Sequence, residues 1–332
     1  FLNTGSKDSS RIQLTYSQLV TNKSTFAPEL RAQVTVEGDK GSIFTFTEIG
    51  KGLYRLAPRA VNEAEKFRIR IKTAARKEYL SDYTAVKQTP PIDSITYQIA
   101  ADKSTFQINV NTHDPLNKTR FYRWKFEETW EYNMPLYSLF EIKNNAIIER
   151  VENINTCWTT ETPSTILLGS SIKLSQDLIR DAPITTIPIV SNKLRIKYSM
   201  LLKQFGLTEE GFQYWNALAK TTETTGSLFD PQPSQITGNI KCTTNSQELV
   251  FGFFSAVAPQ EKRVFFSPGL GVYTFCQPLD TVSRGDAIKF QHFLLTEYFA
   301  EGSSVAEYII GDPGCADCRT KGGNTKRPIF WQ

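Results

Sequence analysis

The sequence predicts a mainly β protein: an N-terminal immunoglobulin-like β-sandwich over residues 1–89, then a larger β-rich domain over residues 90–332 with one inserted amphipathic helix at about 208–224. Three observations lead there. Apolar and polar residues alternate in short runs along most of the chain, the period of half-buried strands. Glycine-bearing turn signals separate the first runs at the spacing of a small sandwich. A strong helical interval of apolar residues occurs in one stretch, just after Leu207.

In the first domain Ile12, Leu14 and Tyr16 share one parity, as do Val34 with Val36, Phe44 with Phe46, and Phe67 with Ile69 and Ile71. Arg68, Arg70 and Lys72 take the opposite parity, so these runs read as antiparallel strands with one face buried. Glu37-Gly38-Asp39-Lys40-Gly41 and Gly50-Lys51-Gly52 read as hairpin turns, and Pro90 with Pro91 breaks the pattern and marks the domain boundary.

Ile95–Ile99 and Thr105–Val110 open the second domain as strands, followed by an aromatic strand from Arg120 to Tyr132. Tyr122, Trp124, Phe126, Trp130 and Tyr132 share one face of it; Arg123, Lys125, Glu127, Thr129 and Glu131 share the other. Such rings can stack on a sugar, but rings along one face of a strand more often fill a core, which is the reading taken. Thr165–Leu168 reads as a strand and Ser175–Arg180 as a short turn or helix. Leu194–Gln204 reads as a strand on the alternation of Ile196, Tyr198, Met200 and Leu202.

Thr208 is placed to cap the helix, with Glu209 and Glu210 in its first turn at the positive end of the macrodipole. Phe212, Trp215 and Leu218 give it an apolar face, and Gly226 stops it. Asp230-Pro231-Gln232-Pro233 forbids helix and central strand. A short strand is expected near Ile240 and a hydrophobic one over Leu249–Val257, then further strands at Arg263–Phe266, Val272–Phe275 and His292–Phe299.

The 332 residues suffice for two cores, and 40% hydrophobic with 22% charged residues is ordinary for a globular protein. No run of 18 or more apolar residues offers a membrane span. The net charge of +4 comes from interspersed acids and bases, apart from a basic tail at Arg319, Lys321, Lys326 and Arg327, so nucleic acid is not expected as a partner.

Enzyme motifs are scarce. His113 and His292 stand in no metal-ligand spacing, and no G-x-S-x-G elbow or Walker loop occurs. His113, in Thr112-His113-Asp114-Pro115, reads as a surface turn residue, and His292 as structural. No catalytic residue, metal site or cofactor is expected, although a pair of carboxylates suited to glycoside hydrolysis has no signature a sequence can exclude. Cys315-x-x-Cys318 admits zinc, redox and structural readings. Zinc lacks partner ligands, and the Gly-rich run after Cys318 makes a poor helix for a redox pair, which leaves structural disulfides. The Gly-rich tail lacks the strand and helix of a phosphate cradle; Phe330 and Trp331 are expected to tuck into the second domain.

The run GSLFDPQPSQITGNI with the FGFFSA that follows, PPIDSITY at Pro90, CWTTE at Cys157 and the terminal CADCRTKGGNTKRPIFW resemble the domain of unknown function 4249, over nearly the whole chain. That family consists of outer-membrane lipoproteins, mostly from the Bacteroidota, with no activity to carry over. The resemblance implies export, so the cysteines would meet a disulfide-permissive compartment. Two disulfides are expected among Cys157, Cys276, Cys315 and Cys318, with Cys315 and Cys318 reaching back in an order left open and Cys242 remaining a buried thiol. The chain starts at Phe1, and FLNTG reads as the end of a first strand that runs in from a signal peptide and lipid-bearing Cys. Ser94, in Asp93-Ser94-Ile95, and Thr281, in Asp280-Thr281-Val282, look like O-glycan acceptors used on exported Bacteroidota proteins.

Three functions follow in order. The first is a non-enzymatic, lipid-anchored protein of the outer membrane and cell surface, an accessory to a TonB-dependent receptor or other outer-membrane barrel. Its tether of roughly 20–30 residues would reach on the order of 25 Å. The second is a glycan-binding or adhesive module, which would need exposed rings. The third is a carboxylate-dependent hydrolase, which would need a deep cleft with two close acids.

Overall fold

A computed structural model describes residues 1–5, 8–17, 26–223, 236, 238–272 and 275–331. The protein is mainly β, with several sheets and, among the described residues, one helix longer than six residues, Glu209–Glu223. No described helix is long and apolar enough to cross a membrane.

The first sandwich has an eight-stranded sheet whose main path runs Leu2–Asn3, Ala256–Ala258, Thr84–Gln88, Lys66–Lys72, Gln33–Gly38 and Ile43–Thr45. Glu78–Ser81 also pairs with Lys66–Lys72 and carries Ile240–Cys242 on its other side. A small sheet of Ser10–Gln13, Leu53–Leu56 and Thr47–Gly50 closes over the core. Val34, Val36, Phe67, Ile69 and Ile71 meet Tyr54 and Leu56 there, as the alternation requires, and on the outer face Arg68 and Arg70 pair with Glu37. Gly50, Lys51 and Gly52 all take positive φ in the hairpin turn, where a Cβ on Gly52 would lie 2.5 Å from the Leu14 carbonyl oxygen.

Residues 1–89 do not build this core alone. Ile240–Cys242 and Ala256–Ala258 return from the second half of the chain, and Phe254 and Ala256 are buried in it. Ala256–Ala258 runs parallel to both of its neighbours, a pairing that needs a long connection rather than a hairpin.

The second sandwich sets Ile92–Ile99, Thr105–Asp114 and Asp177–Pro188 against a five-stranded sheet. In that sheet the long Phe121–Asn133 strand is flanked by Lys197–Gly206 on one side and by Thr156–Glu161 and Leu167–Ser170 on the other, with Gln260–Phe266 beyond Lys197–Gly206. Tyr122, Trp124, Phe126, Trp130 and Tyr132 of this strand are buried in the core, as read from their parity. Trp124 is 1% exposed and donates from Nε1 to Gln204 Oε1 at 2.8 Å. A third, smaller core lies under Asp280–Ser283, Leu294–Phe299 and Ala306–Ile310, against the hairpin Phe140–Lys143 with Ala146–Glu149.

Several elements differ from expectation. Of Ser175–Arg180, the last four residues open the strand Asp177–Pro188, which lies at the edge of its sheet, where Pro183 and Pro188 are tolerated. Its first residue is pinned, because buried Asp177 accepts hydrogen bonds from Tyr122 and Ser171 hydroxyls. His113 lies in the strand Thr105–Asp114 rather than in a turn, which starts one residue later with Asn117 N–H donating to the Asp114 carbonyl. Of Leu249–Val257 only the last two residues are strand, since Asn239 takes both main-chain groups of Phe254 with its side chain. Val272 and Phe275 are not in a strand, and residues 273–274 lie outside the described residues.

The helix begins as read. Gly211 N–H donates to Thr208 Oγ1 at 3.1 Å, Phe212 packs on Phe121 and Trp215 lies under the Arg123 guanidinium. The stop at Gly226 and the turn at 230–233 lie outside the described residues. At the far end of the same sheet face Trp331 is buried against Phe265 and donates to Glu131 Oε2 at 2.9 Å, while Phe330 sits under Arg263.

Candidate functional site

A groove of about 610 Å³ opens in the first sandwich. One wall is Arg11–Ser17, the strand Ser10–Gln13 and the residues after it; the floor is Ile69, Ile71 and Ile240; the opposite wall is the run Glu248–Phe254. The volume is within the range of ligand and peptide sites. Its apolar floor belongs to the strands that form the sandwich core, and its rim carries large apolar side chains left in water. Phe26 is 61% and Phe251 59% exposed, with Tyr16 and Leu249 also exposed beside them. Contiguous exposed apolar surface framed by polar groups marks an interaction site more often than an ordinary surface.

Two tyrosine–glutamate pairs fix the polar part. The Tyr16 hydroxyl donates to Glu29 Oε2. The Tyr79 hydroxyl donates to Glu248 Oε1 at 2.5 Å, and Lys77 Nζ donates to Glu248 Oε2 at 2.6 Å. The hydrogen bond from Lys77, then that from Tyr79, holds the Glu248 carboxyl below its ordinary range. Burial and then the Glu248 hydrogen bond push the Tyr79 phenol up, and the Glu29 hydrogen bond does the same to Tyr16. Glu248 is therefore an ionised acceptor at neutral pH, with no proton to give, and no histidine lines the groove.

His113 and His292 lie elsewhere. His113 Nδ1 is 2.8 Å from Asp93 Oδ2 on the second sandwich, and that contact raises its pKa. His292 lies two residues before the strand Leu294–Phe299. Among the described residues no group of three or more His, Cys, Asp or Glu could hold a metal.

Cys157 is bonded to Cys318 and Cys276 to Cys315, with Cα separations of 5.8 and 5.9 Å, which fixes the order that the spacing left open. Cys242 is a buried free thiol, 3.3 Å from Thr244 Oγ1, and lies opposite Tyr79 in the strand register. Of the two acceptor tripeptides, Thr281 is exposed on the edge strand Asp280–Ser283, and Ser94 is half-buried in Ile92–Ile99.

None of Glu29, Lys77, Tyr79 or Glu248 stood out in the sequence. Their one signal is that the apolar run after Glu248 has too little alternation for a half-buried strand, and pairing of Tyr79 with a residue 169 positions away leaves no local trace.

No characterised protein in the curated set is significantly similar to the chain. The family model that matches spans residues 1–263, which includes every residue of the groove and excludes the terminal CADCRTKGGNTKRPIFW run, so the similarity covers less of the chain than the motifs implied. The chain belongs to the family described as Domain of unknown function (DUF4249).

Proposed function

We propose that the protein is a non-enzymatic, lipid-anchored protein of the outer-membrane surface that docks on an outer-membrane barrel, such as a TonB-dependent receptor, as an accessory subunit. The observation that carries the docking part is the groove, with exposed Phe26, Phe251, Tyr16 and Leu249 around an apolar floor. Membership of the family supports the compartment, and the two long-range disulfides fit an oxidising one. Affinity purification of the tagged, native protein in mild detergent tests the proposal. A barrel protein in near-equal amount is expected; recovery of the protein alone would refute it.

The glycan-binding reading loses its first support, because Tyr122, Trp124, Phe126, Trp130 and Tyr132 are in the core. The hydrolase reading has two groove carboxylates to draw on, Glu29 and Glu248, but both accept from tyrosine hydroxyls and Glu248 is held ionised. Export also makes Thr281, exposed on an edge strand, the favoured O-glycan acceptor of the two. An intact native mass equal to the bare polypeptide would remove that expectation for both sites.

A further inference from the structure

We propose that the groove takes an extended peptide segment of the docking partner as an added β-strand along Leu249–Phe253, an inference that rests on the docking reading above and specifies its chemistry. These five residues are neither helix nor turn, and none has a positive φ. None of their main-chain N–H or C=O groups meets a hydrogen-bond partner among the described residues. The next positions are all engaged: Asn239 holds both main-chain groups of Phe254, and Ala256–Ala258 lies between two parallel strands. The Gly252 carbonyl faces the backbone of Gly238, on the side where Asn239 holds Phe254, so the open edge of the run is that of the alternate residues Leu249, Phe251 and Phe253, whose unpaired peptide units are a template for another strand.

The same feature selects the class of occupant. An acyl chain would fill the apolar floor but leave the peptide groups of that edge facing hydrocarbon, whereas an extended peptide satisfies those of Leu249, Phe251 and Phe253 with its own backbone. Alternate side chains of the added strand would turn towards Ile69, Ile71 and Ile240, and the intervening ones towards the rim at Tyr16 and Phe26. The partner segment is therefore an extended run of alternating apolar and polar residues. Leu2–Asn3 and Thr84–Gln88 both run parallel to Ala256–Ala258, which favours the parallel direction for the new strand.

Amide hydrogen exchange on the whole protein tests this with a defined probe, a Lys-capped peptide of alternating valine and threonine. Exchange at Leu249, Phe251 and Phe253 should slow by about tenfold or more with the peptide. The same peptide N-methylated at alternate backbone positions, and myristate, should give no slowing. Phe251→Pro, which removes a donor from the open edge, should abolish the effect, while Gly252→Ala, whose methyl would meet only Ile240 Cδ1 at 3.6 Å, should keep both fold and effect. Equal protection by the N-methylated peptide or by myristate overturns the proposal, as does no protection by the plain peptide. Protection of these amides in the full-length mature protein without any partner would also overturn it, by assigning the wall to the protein's own polypeptide. Failure of the docking reading looks different: no barrel co-purifies while protection by the peptide persists.

Discussion

The Tyr79 hydroxyl donates a 2.5 Å hydrogen bond to Glu248 Oε1, and the same carboxylate accepts from Lys77, so a residue from the second half of the chain is fastened to Glu78–Ser81 and its preceding turn at the lip of the groove. This tie positions the start of the Leu249–Phe253 wall, which has no ladder bonds to position it.

The tie should be sensitive to acid. The folded-state pKa of Glu248 is depressed, so its contribution is fully present above the ordinary glutamate value of 4.5 and is lost as pH falls through the lower folded value. Glu248→Gln should lower Tm slightly at pH 7, by no more than about 3 °C given the exposure of Lys77, and the difference from wild type should vanish in strong acid. A Tm difference that stays constant from pH 7 down to pH 2 would contradict this assignment.

Gly169 closely approaches the second core. A Cβ there would lie 2.3 Å from Trp124 Cη2, and the ring cannot retreat freely because its Nε1 is bonded to Gln204, which is itself held by Pro90 and Thr112. Gly169→Ala should destabilise by about 1–3 kcal/mol in denaturant unfolding. Gly285→Ala, with nothing nearer than Ser283 Oγ at 3.8 Å, serves as the control and should be close to neutral.

Non-reducing peptide mapping should return Cys157 with Cys318 and Cys276 with Cys315, and Cys242 should be alkylated only after denaturation. Replacing Cys157 and Cys318 together by serine should cost about 2–5 kcal/mol, since this bond closes the longer loop. Free thiols at Cys157, Cys276, Cys315 and Cys318 in the native protein would reject both pairings.

How much of this was legible in the sequence follows from where the information lies. Local periodicity placed Lys66–Lys72 and Phe121–Asn133 with the correct buried faces, and side-chain chemistry placed the Thr208 cap. Asp177–Pro188 was missed because its proline content argues against strand, and its antiparallel pairing with Thr105–Asp114 at the sheet edge makes it one. The return of Ala256–Ala258 into the first sandwich was invisible for another reason, as parallel pairing between Val86 and Ala256 is set by the whole fold. The groove inherits that limit. Its floor was legible as alternating Ile69 and Ile71, but the wall facing them comes from the other half of the chain.

The most direct test compares co-purification of the wild type with a Leu249→Asp, Phe251→Asp double variant, each tagged and expressed in its native cells. Both side chains are exposed, so the variant should keep its Tm within a few degrees. The account predicts that wild type recovers an outer-membrane barrel in near-equal amount and that the variant loses it. Recovery of the barrel by both proteins alike would contradict the assignment of docking to the groove, and recovery by neither would contradict docking itself.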